Sequence, residues 1–175
     1  MILFAIPITI NPSLKALGVS GRASAEIWRE AHYAAGRYWW DHYLQDHFRE
    51  GADAKYGYQP RTLGYLKAKR NAARKGKAVS GGRVSLVFRG LTRDAVKSWA
   101  YIQAYPSRCS VRMHGPRYVS MNPKVGKNSR MLPNMGREIV TVTDDQRVKM
   151  AEVMLDSFRA SFRRLNLPET ITVSM

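Results

Sequence analysis

Apolar and polar positions alternate between two periods along this 175-residue chain, and the change of period marks out its elements. Residues 1–10 form a run of branched and apolar residues interrupted by Pro7, the pattern of a strand at an edge or with a bend. Asn11-Pro12-Ser13 and the glycines at 18 and 21 are turn material. From Ala25 to Glu50, Ile27, Ala31, Ala34, Ala35, Tyr38, Trp39, Leu44 and Phe48 recur near helical spacing. Ser24 stands ahead of this long helix and Gly51 behind it. A shorter helical pattern over 60–75 has Pro60 at its start and only Leu63 and Leu66 as an apolar seam.

Beyond it, Gly76 to Gly82 reads as a flexible hinge and Val84–Phe88 as a strand. Thr92 would cap a short helix over 93–98. Residues 99–105 and 109–113 suit two strands paired around Pro106-Ser107. Residues 114–136 hold prolines, glycines and bases without a period, a long loop excursion. Residues 137–143 alternate as a strand does. Thr143-Asp144-Asp145 then caps a helix with the stripe Val148, Met150, Ala151, Met154, Leu155, Phe158, Phe162 and Leu165. Residues 170–175 form a last strand. The order predicts an α+β fold, one domain over 1–175, with a long N-terminal and a C-terminal helix packed on a mainly antiparallel sheet. The terminal strands are expected to pair with each other or with a neighbouring subunit.

Charge changes this picture. The formal net charge is +16, yet residues 1–60 are neutral and residues 138–175 carry −1. Residues 61–137 hold eighteen Lys or Arg and one acid, Asp94. A neutral scaffold therefore carries one concentrated basic segment, which implies an anionic partner: DNA or an acidic protein surface. Within that segment Tyr58, Arg61, Tyr65, Lys67, Lys69, Arg70, Arg74, Lys75, Arg117, Lys124, Lys127 and Arg130 are the candidate contact residues, Tyr58 standing just ahead of it. Aromatic and basic residues so mixed can stack bases and bind phosphates. They equally serve as protein-interface anchors, and without a nucleic-acid reader motif the interface is preferred.

Other chemistry finds little support in the sequence. No apolar run approaches the roughly 20 residues of a membrane span. The N-terminus lacks the flanks of a signal peptide, so none is expected. The lone Cys109 excludes an internal disulfide and a cysteine-based zinc site, and is expected to be an inert thiol in a cytosolic setting. His42 and Asp46, four apart beside Asp41, could share a metal on one helical face, but solvated surface residues are expected there. His32 is expected to be an ordinary helix residue. No nucleophile elbow or phosphate loop is present, so neither enzyme activity nor a cofactor is expected.

The chain resembles the tail-completion and virion-morphogenesis proteins of tailed bacteriophages, which act in head–tail joining and the neck. Tyr58, Arg61, Tyr65, Lys67, Lys69, Leu86, Val87, Gly90 and Leu91 carry the likeness: an aromatic-basic turn, a basic helix, a spacer, an apolar pair and a Gly-Leu. Gly115-Pro116-Arg117-Tyr118 and the closing helix also fit. Ser85 and Arg89 depart from it, standing where a proline and a small residue are usual. The resemblance implies a non-catalytic virion subunit of the neck or tail end, assembled in the host cytoplasm. Such a subunit forms a homo-oligomeric ring around the DNA channel, and its partners are itself, neighbouring neck or tail proteins and the passing DNA. The other class of reading is a basic DNA-binding accessory protein acting through 61–137.

Overall fold

The computed structural model describes residues 2–4, 9–11, 13–58, 60–61, 63–77, 91–98, 100–113, 138–167 and 172–174. In order, these form β1 (Ile2–Phe4), β2 (Thr9–Asn11), α1 (Gly21–Tyr38), α2 (Ala52–Tyr56), α3 (Leu63–Arg74) and α4 (Leu91–Ser98). They continue with β3 (Ala100–Tyr105), β4 (Arg108–Met113), α5 (Asp144–Arg164) and β5 (Thr172–Ser174). The fold is α+β, with helices and small antiparallel sheets. No described helix is long and apolar enough to cross a membrane.

The contacts group the chain into two compact units. One holds residues 2–41, 101–112 and 144–175, the other residues 42–100 and 113–143 with Met1.

In the first unit, β1 pairs antiparallel with β4, and the sheet order is β1-β4-β3. The expected hairpin is there, turning at Pro106-Ser107. The N-terminal run is not one strand, however: β2 belongs to a separate ladder with β5, Thr9 opposite Ser174 and Asn11 opposite Thr172. The second part of the expected N-terminal strand therefore pairs with the C-terminal strand, while the first part pairs with β4. The cap of α1 stands four residues ahead of the expected Ser24, with Ser20 Oγ accepting from the Ala23 amide at 3.2 Å. Its inner positions Ile27, Ala31 and Ala35, each four apart, are buried, as are Met150, Ala151, Met154, Phe158 and Phe162 of α5. The rings of Trp28 and Phe158 meet edge-on at 4.8 Å. Glu30 joins the same helices by accepting from Ser161 Oγ and from Arg164. Val148 and Leu165, placed in the stripe by periodicity, are exposed.

α1 crosses the hairpin at Gly36. A Cβ there would lie 2.3 Å from Cys109 Sγ and 3.3 Å from Ile102 Cγ2, so the close approach requires glycine. Cys109 is buried, and burial pushes its thiol up to about 11, which keeps it protonated and inert as expected.

The long helix expected to reach Glu50 is α only as far as Tyr38. A π-turn over Trp39–Tyr43 and a 3₁₀ turn over Leu44–Phe48 complete it. The wide turn inserts one extra residue, so the buried positions step from Trp39 to Leu44 instead of to Tyr43. In the second unit Leu44, Phe48, Ala52, Tyr56, Tyr58, Val96, Met113 and Ile139 are buried. Over the described residues 138–143 the strand expected over 137–143 does not form: residues 138–139 are helical, 140 is a turn and 141–143 carry no ladder. Ile139 and Glu138 both point inward there, which an alternating strand would forbid. α4 begins at Leu91, so Thr92 lies within its first turn. The strand expected at Val84–Phe88 and the loop over 114–136 lie outside the described residues.

Candidate functional site: a basic segment rooted in a buried polar cluster

The second unit holds a stack of rings. His47 lies on Tyr56 with centroids 3.9 Å apart, and Tyr56 on Tyr58 at 5.8 Å. The chain between them is short because Gly51 and Gly57 take positive φ on either side of α2. His47 Nδ1 is hydrogen-bonded to the Tyr58 hydroxyl at 2.5 Å. Burial drives the imidazole down to about 4 and the Tyr58 phenol far above its ordinary value, so both stay neutral.

Three residues beyond Tyr58, Arg61 reaches Glu138. Arg61 Nη1 donates to Oε1 at 3.0 Å, and Nη2 donates to Oε2, a bidentate pair with both side chains 7% exposed. This pair spans 77 positions of sequence and ties the first residue of the basic segment to the residue just after its last. Lys69, on α3, is fully buried, its Nζ 5.9 Å from the centre of the Tyr65 ring. Desolvation, then the nearby Arg61 charge, lowers its affinity for a proton. Desolvation raises the Tyr65 phenol.

α3 thus has two faces. Lys69 is buried and Tyr65, Leu66, Ala72 and Ala73 are half-buried on the inner one. Leu63, Lys67, Arg70 and Arg74 lie on the outer one, with Leu63 83% exposed. The helix ends in a Schellman cap: Gly76 at φ 65, with its amide on Ala73 O and the Lys77 amide on Ala72 O. The stretch expected to be a hinge therefore opens with a defined helix stop.

Of the expected contact residues, Tyr58, Arg61 and Lys69 face inward and Tyr65 is half-buried. Their polar atoms make the cluster, so they do not offer the free surface read from the sequence. Lys67, Arg70, Arg74 and Lys75 are exposed and form no ion pair among the described residues. Arg117, Lys124, Lys127 and Arg130 lie outside the described residues. No family model, curated protein or solved structure matches the chain.

His47 and Glu138 are the members that sequence reading missed. His47 lies next to Asp46, in the stretch expected to be solvated surface, and the π-turn ahead of it that rotates it inward has no periodic signature. Glu138 is the first acid after the long basic run, and that position was the available signal. The suggested metal pairing does not form. Asp41 accepts from Arg37 Nε at 2.7 Å, and Asp46 accepts from Lys55 at 2.8 Å and Arg49 at 2.9 Å. Among the described residues no group of three His, Cys, Asp or Glu is placed to hold a metal. His42 is exposed, while His32 is buried in α1 with Nδ1 2.8 Å from Trp28 O.

Proposed function

We propose that this chain is a structural subunit of a phage virion, in the neck or at the tail end, without catalysis. In this reading it closes with copies of itself into a ring, and the basic segment meets neighbouring subunits, adjacent rings or the DNA they surround. The observation that carries the reading is the Arg61–Glu138 pair. It roots both ends of the segment holding the chain's whole excess charge in a buried cluster of an otherwise neutral scaffold. Among the described residues of that segment Lys67, Arg70, Arg74 and Lys75 stand exposed on or just after α3, where an assembly contact can reach them. The aromatic-basic motif behind the resemblance coincides with that base. Subunits in such a ring meet through heterologous faces that close by rotation. The test is a C-terminal tag on the chain in the phage that encodes it. Gold label should gather at the junction of head and tail, and particles bearing no label there would contradict the proposal.

A further inference from the structure

The outer face of α3 carries a feature that assembly alone leaves unexplained. Lys67, Arg70 and Arg74 fall at spacings of three and four, so they line one stripe, and Lys75 follows. Like charges at those spacings destabilise an isolated helix by a few tenths of a kcal/mol per pair. On α1 and α5 the chain avoids that cost, since Arg29, Arg37, Arg147, Lys149 and Arg159 each sit against an acid three or four residues away. α3 has no acid at all. A stripe uncompensated within its own helix is suited to an anion from outside.

We propose that this face of α3 is a contact surface for the phosphate backbone of duplex nucleic acid. Two observations favour a polyanion over an acidic protein. The aromatics that would anchor a protein interface, Tyr56 and Tyr58, are spent in the buried stack. What remains outside is an array of two lysines and two arginines with one large apolar residue, Leu63, and no exposed aromatic on the helix, whereas interface cores are depleted in charge and enriched in aromatic anchors. The spacing also fits. Lys67 to Arg74 covers about 10 Å at 1.5 Å per residue. A duplex presents one charge per roughly 1.7 Å of its axis, so the three cations meet a continuous row of phosphates. Nothing on the face is built to read base edges, so contact is independent of sequence. The inference narrows the partners named above to one, on one face of α3, and rests on that reading only for where the duplex comes from.

The experiment is fluorescence anisotropy of the purified full chain with a labelled random-sequence duplex of about 30 base pairs, over a series of salt concentrations. The comparison is with K67Q/R70Q/R74Q and with R147Q/R159Q/R163Q, which removes the same charge from α5. The first triple variant should lower the slope of log affinity against log salt by about 2–3, at roughly 0.9 per phosphate contact. The α5 variant should leave the slope unchanged, and both should keep the wild-type circular dichroism spectrum. Absence of duplex binding at low salt, equal losses in both variants, or an unchanged slope in the α3 variant would each overturn the proposal. So would a loss of self-assembly in the α3 variant with duplex binding intact, which would make the face a protein contact. Assembly, read separately by microscopy, reports on the virion role whatever the duplex result.

Discussion

At the scale of the residue, the chemistry of the second unit rests on groups held away from their ordinary states. His47 is the sharpest case. Its folded value of about 4 lies below the ordinary 6.5, so as pH falls through that window the unfolded chain takes up a proton that the folded chain resists. Stability should be level above 6.5, fall between 6.5 and 4, and level off for this group below. The loss is on the order of 3 kcal/mol, from about 1.4 kcal/mol per pH unit. Urea unfolding at several pH values should show that fall in the wild type and a flatter profile in His47→Gln; superimposable profiles would contradict the assignment. Little of this was legible in advance. A histidine's burial depends on how the helix before it is phased, and the π-turn shifts that phase by one residue without changing residue types. The same blindness applies at Gly36, where the sequence shows a small residue on a helix and only the packing of Cys109 says why.

At the scale of the element, helices with a strong stripe were readable and short strands less so. α5 starts at Asp144, as expected, and buries Met150, Ala151, Met154, Phe158 and Phe162 of the expected stripe, because a 21-residue amphipathic pattern repeats its signal over several turns. The hairpin was marked by its turn. The expected strand over 137–143 failed because its alternation is too short to outweigh tertiary packing, here the inward pull of Ile139 and of Glu138 toward Arg61. The candidate site was half legible. The aromatic-basic motif lies where it was expected, but sequence alone does not separate a base on the inner face of α3 from one on the outer. Glu138 now carries a specific expectation. It is the acid bonded to Arg61, so Glu138→Gln takes the carboxylate from a buried guanidinium and should destabilise the chain by about 3–5 kcal/mol. Arg61→Met/Glu138→Leu, which replaces both partners by apolar side chains, should cost much less by comparison. Chemical denaturation of the two variants checks the order, and an equal loss in both would refute this view of the cluster.

At the scale of the whole molecule, charge distribution says more than total charge. A net +16 spread evenly would suggest only a basic protein. Concentrated between Arg61 and Glu138 in a chain otherwise near neutral, it marks one segment as the place to look for an anionic partner. The terminal strands, read from sequence as able to pair within or between chains, are engaged within this one: β2 with β5 and β1 with β4. Joining of subunits, in the ring proposed here, then falls to other surfaces. Fold class was legible because the order of periods survives errors of a few residues at each boundary. The proposed function rests on the resemblance and the charge map. The most direct measurement of the central claim is negative-stain imaging of the purified full chain with its mass measured in solution. The account predicts closed rings of a single stoichiometry; a monomer at every concentration tested, with no ring in any field, would contradict it.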